Sequence, residues 1–167
     1  MNQTDFKTPL PTGKVRGKSK PPRIAIISSC WHEDIVSNGL SAMRAEFERG
    51  GVSSDELRHF SVPGAFEIPL HAKRLAHSKQ FDAIIACGFV VNGGIYRHEF
   101  VAAAVIDGLM RVQLDTDVPV FSAVLTPRDF HDHEEHQRFF HAHFEKKGVE
   151  VARACMATLE SLSALAA

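Results

Sequence analysis

The stretch that most limits how this chain can fold is residues 81–101, FDAIIACGFVVNGGIYRHEFV. Ala83, Ile84, Ile85, Ala86, Cys87, Phe89, Val90 and Val91 make a run that is apolar on both alternating faces, the pattern of a strand covered on both sides of a parallel sheet. The run stops at Asn92-Gly93-Gly94, where glycine permits a sharp turn and a close backbone approach to a ligand. A helical pattern follows and brings the positive end of its dipole beside that turn. The segment reads as strand, anion-ready turn, helix. In open parallel sheets ligands bind beyond the carboxyl ends of the strands, so the turns after the other strands are the next places to search.

Residues 23–29 (RIAIISS) read as a first strand, with Cys30, Trp31 and His32 at its carboxyl end. From 33 to 49 the apolar positions Val36, Leu40, Met43 and Phe47 step by four, three and four, one face of an amphipathic helix, which Gly50-Gly51 ends. Residues 56–62 form a short second strand. The turn Pro63-Gly64-Ala65-Phe66-Glu67 leads into a helix that carries Pro69 in its first turn and runs to about Ser78. After the third strand a helix is expected from about Tyr96 to Leu114, with Val101, Val105, Leu109 and Val112 inward. Residues 118–125 give a fourth strand, ending at Thr126-Pro127. A histidine-rich helical segment (129–146) follows, and Gly148 is expected to separate it from a last helix carrying Val149, Ala152, Met156, Leu159 and Leu162. Strands alternating with helices require crossover connections, so the expected fold class is α/β, a four-stranded parallel sheet with helices on both faces.

The 167 residues suit one domain, and 44% hydrophobic content is enough for a core. Residues 1–22, with four prolines and five Lys or Arg, read as a flexible N-terminal tail, leaving 23–167 as the folded domain. A formal net charge of −1 provides no global attraction to nucleic acid or an anionic membrane. No apolar run approaches the roughly 20 residues of a membrane span, and no signal-peptide core is evident. Cys30, Cys87 and Cys155 are too scattered for a zinc knuckle or disulfide framework, which fits reduced thiols and a cytoplasmic protein.

Four turns therefore leave carboxyl strand ends: Trp31, Ala65-Phe66-Glu67, the stretch from Phe89 to Ile95, and the stretch from Ser122 to Pro127. A flat aromatic, a carboxylate, open backbone groups and glycines at a helix start suit a hydroxylated polar heterocycle together with a phosphate. Each feature has a plainer account as well. Trp31 could cap the core edge, Glu67 could complement a helix dipole, and a glycine pair could be an ordinary turn. The histidines at 131, 133, 136, 141 and 143 suggest a metal, but the HExxH order is absent and no metal site is expected. A phosphate contact or a pH-sensitive subunit contact suits them better.

Three blocks in order, VPGAFEIP (62–69), GFVVNGG (88–94) and PVFSAVLT (119–126), resemble the lumazine synthase family, and the resemblance covers nearly everything after the tail. The GGIYRH and FFHAHF segments are similar to its second, rhizobial and brucella-like type. The resemblance implies a flavodoxin-like three-layer α/β/α sandwich, whose sheet the N-terminal segment could extend. It also implies a transferase of riboflavin biosynthesis that needs no cofactor. That enzyme condenses 5-amino-6-(D-ribitylamino)uracil with 3,4-dihydroxy-2-butanone 4-phosphate to 6,7-dimethyl-8-ribityllumazine.

By position, the resemblance implies that Trp31 stacks on the pyrimidine and that Ala65, Phe66 and Glu67 meet the ribityl chain. Phe89, Val90 and Val91 would border the ring. Gly94 and Ile95 fall where the family cradles phosphate, Ser122 where a neighbouring chain supplies an aromatic, and His136 where a phosphate-binding arginine stands. The family's proton-transfer histidine aligns with Arg97. His98 follows roughly 100° around the helix and is not expected to occupy the same place. Arginine stays protonated, so it can stabilise charge but is a poor base, and a slow enzyme is expected. Pentamers, paired as a homodecamer with sites between adjacent chains, are implied. A catalytically weak flavin- or lumazine-binding or scaffold paralogue is the alternative.

Overall fold

The computed structural model describes residues 20–93, 97–131 and 133–165. Among them, strands β1 (Ile24–Ser29), β2 (Leu57–Val62), β3 (Ala83–Phe89) and β4 (Val120–Leu125) alternate with helices α1 (Glu33–Arg49), α2 (Ile68–His77), α3 (His98–Thr116) and α4 (Glu134–Leu165). The sheet is parallel throughout, in the order β2-β1-β3-β4. This is the expected α/β sandwich of flavodoxin-like type.

Alternate strand residues enter opposite cores, which explains the unbroken apolar runs. Ile24, Ile26, Ile85 and Cys87 pack with α1 and α4, whereas Ala25, Ile27, Ile84 and Ala86 pack with α2 and α3. The expected helix faces are inward: Val36, Met43 and Phe47 on α1 and Val105, Leu109 and Val112 on α3 are buried. Of these helices, α1 spans the residues expected for it. Glu56 closes a short 3-10 turn (Ser54–Glu56) instead of opening β2, and β4 begins two residues later than the pattern indicated.

Gly148 does not separate two helices. One helix of 32 residues, about 48 Å long, runs through it. Glycine there costs about 1 kcal/mol relative to alanine as a helix former, but it lets α4 cross α1 in backbone contact. A Cβ at Gly148 would collide with the carbonyl oxygen of Gly39 and come within 3.0 Å of the Met43 nitrogen. The same two helices are clamped further along, where the fully buried Glu46 carboxylate accepts a hydrogen bond from Arg153 Nε at 2.6 Å and pairs with Arg49. Among the described residues no helix is long and apolar enough to cross a membrane.

Candidate active site

The strand register gathers the turns. Ser29 pairs with Val62 and Phe89 with Leu125, so the segments after all four strands leave one edge of the sheet. Backbone bonds hold them there. The Cys30 N–H donates to the Val62 carbonyl at 3.0 Å and the Val90 N–H to that of Leu125 at 2.9 Å. Asn92 Oδ1 accepts from the Phe130 N–H at 2.9 Å, tying the turn after β3 to the one after β4.

These turns enclose a cleft of about 480 Å³ lined by Trp31, His32, Pro63, Gly64, Ala65, Phe66, Glu67, Phe89, Val90, Val91, Gly93, His98 and Val101. Seven residues expected from sequence to form a site, Trp31, Ala65, Phe66, Glu67, Phe89, Val90 and Val91, thus come together although they lie far apart in the chain. Trp31 and Phe66 hold their rings at the rim, 71% and 64% exposed, as flat surfaces for a ring to stack on. Phe89 differs. Its ring is buried against Phe130 and Phe140, at centroid distances of 5.2 and 4.9 Å, so this residue offers the cleft mainly its backbone.

Glu67 combines two roles that the sequence left as alternatives. Its Oε2 accepts from the Gly64 N–H at 3.0 Å and fixes the turn, while the residue also borders the cleft. A carboxylate accepts through two oxygens, and Oε1 can meet a hydroxyl. Gly93 is adjacent to open space with no positive φ, so the turn does not require glycine at this position.

Among the cleft residues that sequence reasoning did not assign to the site, two carry imidazoles. His32 adopts a left-handed backbone (φ 54°) at the start of α1, and its ring meets Phe89 and Phe130 edge-on at 5.4 and 5.5 Å. The signal for it was available, because it follows Trp31 at a carboxyl strand end. The second is His98, at the first turn of α3. It borders the cleft, whereas Arg97 is exposed and lays its guanidinium over the Phe100 ring at 5.5 Å.

Ser122 and His136 lie outside this cleft. Ser122 is exposed on the edge strand β4, in a separate depression with Lys147 and Glu150. His136 packs with His133 and Phe140 at ring distances of 4.6 and 6.3 Å and accepts the His131 N–H at 3.2 Å. Gly94 and Ile95 lie outside the described residues.

Among the described residues no three His, Cys, Asp or Glu side chains are placed to hold a metal, the histidine-rich segment included. Elsewhere His59 bonds Ser28 Oγ through Nε2 at 2.7 Å, and burial, then Arg44, lowers its pKa. Burial, then Lys147, lowers that of His143. Burial pushes the Cys87 thiol up to about 12 and that of Cys155 higher still, which keeps both inert.

A parallel α/β sandwich with a mostly apolar cleft and a few polar groups at the carboxyl sheet edge defines a small-molecule-binding protein of flavodoxin-like type. The family described as 6,7-dimethyl-8-ribityllumazine synthase matches residues 21–163. The chain belongs to that family. A relative from Rhodococcus erythropolis, named 6,7-dimethyl-8-ribityllumazine synthase, is 59% identical over 143 residues, covering 86% of this chain and 92% of that protein. Relatives named 6,7-dimethyl-8-ribityllumazine synthase 2 are similar too. One from Bradyrhizobium diazoefficiens is 54% identical (88% of each chain), and one from Pseudomonas syringae pv. tomato 50% identical (90% of this chain, 89% of that protein).

Proposed function

We propose that this protein is a lumazine synthase of riboflavin biosynthesis, a transferase joining 5-amino-6-(D-ribitylamino)uracil to 3,4-dihydroxy-2-butanone 4-phosphate. The observation that carries the reading is the convergence of Trp31, Ala65, Phe66, Glu67, Phe89, Val90 and Val91 on one cleft in a member of this family. Trp31 stacks on the pyrimidine, Glu67 and the neighbouring backbone take the ribityl hydroxyls, and the main chain from Phe89 to Val91 reads the ring edge. Gly94 and Ile95 cradle phosphate, and Arg97 stabilises its charge. Ser122 and His136, which stand outside the cleft of their own chain, serve the cleft of a neighbour.

The oligomer is built on pentamers and reaches a decamer, as a synthase of the second type. Apolar side chains left open on α3, Phe100, Met110 and Leu114 (52–70% exposed), together with Leu70 on α2, support such burial between copies. Residues 23–167 form the domain, residues 1–22 are a tail, and the enzyme is cytoplasmic. Turnover is slow, because the arginine at the family's histidine position cannot serve as the base there, and a well-placed base contributes about 10² to 10⁴ in rate. Holding both reactants together supplies much of what remains.

Purified protein given both substrates should generate lumazine absorbance above the uncatalysed rate. No excess at high protein concentration sinks the reading. The position of Arg97 on Phe100 favours one second reading, a flavin- or lumazine-binding scaffold. It predicts tight lumazine binding without turnover.

A further inference from the structure

Resting on the synthase reading, we propose that His98 is the proton-transfer group of this cleft, the base that takes a proton from substrate carbon as phosphate departs. Arg97 cannot do so, because a guanidinium stays protonated. It also faces elsewhere, over Phe100. His98 is the next residue and one of two histidines that border the cleft. Its side chain is only 15% exposed, and its helix begins just beyond the turn proposed to hold phosphate.

The ring's surroundings are compatible with a base. Nδ1 is 3.5 Å from Glu99 Oε2 on the same helix, a contact that favours a proton on Nδ1 and an open Nε2. The other charged or titratable groups bordering the cleft are Glu67, before α2, and His32, after β1. Arg97 precedes His98 in the chain. His32 is the weaker candidate, because its ring is wedged edge-on between Phe89 and Phe130.

The substrate's own connectivity defines the step. When the amine condenses with the ketone at C2, water is lost and an imine forms. C3 then lies between the imine carbon and C4, which carries the phosphate. His98 Nε2 takes the C3 proton, the C–H electron pair becomes the C3=C4 double bond, and the C4–O bond breaks so that phosphate leaves with its pair. The C3 enol so formed gives up its hydroxyl proton as C4 takes one, which leaves a methyl ketone. The ribityl-bearing amine adds at C3, the imidazolium returns its proton to the resulting hydroxyl, which departs as water in ring closure, and the pyrimidine N–H releases its proton to solvent. No oxidant or reductant enters. This places a base one residue beyond the position used elsewhere in the family, so the cleft is slow but not without proton transfer.

The test is steady-state turnover of the intact oligomer with both substrates, across mildly acidic to mildly alkaline pH. His98→Asn should lower kcat about a hundredfold, leave both KM values and lumazine binding close to wild type, and flatten the acid limb of the kcat profile. Added imidazole should restore part of the rate to His98→Ala. Arg97→Ala should instead raise KM for the butanone phosphate and keep the acid limb. His77→Asn, an exposed histidine bonded to its own helix through the Lys73 carbonyl, should change nothing.

A His98→Asn enzyme with wild-type kcat and an intact acid limb overturns the assignment. So does a rate loss accompanied by weakened lumazine binding and no imidazole rescue, which marks a structural role. If Asn disturbs assembly, His98→Gln takes its place, with the same results expected and the same results fatal. Wild-type protein that binds lumazine but makes none defeats the synthase reading itself, an outcome visible before any variant is compared.

Discussion

Trp31 keeps most of its indole in solvent at the rim of the cleft, where the proposed function has it stack on the pyrimidine. Stacking adds about 0.5–1.5 kcal/mol beyond area burial, so Trp31→Ala should weaken lumazine binding roughly tenfold by titration calorimetry, with Trp31→Phe recovering much of it. An unchanged Kd would show that the ring binds elsewhere. Glu67 lets capping and recognition be separated. Gln can keep an oxygen on the Gly64 N–H, so Glu67→Gln should raise KM for the ribityl substrate with little change in stability, whereas Glu67→Ala should impair both substrate binding and stability. His59 and His143 have pKa values depressed by burial in the folded state. The unfolded chain then takes up protons first, so their contribution is fully present above the free value near 6.5 and is lost as pH falls below it toward the folded values. The urea midpoint should be lower at about pH 5 than at about pH 7.5, and His59→Asn should reduce the difference.

At the scale of elements, the crossing of α1 and α4 is the most demanding contact. Gly148→Ala puts a methyl into the backbone of α1 and should cost about 2 kcal/mol or more, read as a shift in urea midpoint. Gly93→Ala meets nothing within 4 Å and has no positive φ, so its midpoint should hardly move. Equal effects would mean the helices can part without loss. The two glycines illustrate what local pattern can and cannot convey. Gly148 reads as a helix break because its sequence neighbours carry no sign of Gly39, 109 positions earlier. Gly93 reads as a turn glycine, although its backbone does not use the freedom glycine offers.

The whole molecule leaves Phe100, Met110 and Leu114 open along α3. Burial of that stripe between copies should give a ten-chain mass by light scattering. Met110→Asp should lower the mass and the turnover together, because the neighbour's Ser122 and His136 would leave with the partner. Full activity in dissociated chains would sink the shared-site arrangement. The sequence by itself determined the four strands, the first three helices and their inward faces, because periodicity in β3 and α1 directly records which side chains avoid water. It also picked the residues of three turns, since parallel strands must deliver their ends to one edge. Only the tertiary structure decided which of Arg97 and His98 borders the cleft, and that Glu67 both caps a turn and faces it. It alone fused the last two helices into one. Those outcomes depend on contacts between residues distant in the chain, whose energies no local pattern carries.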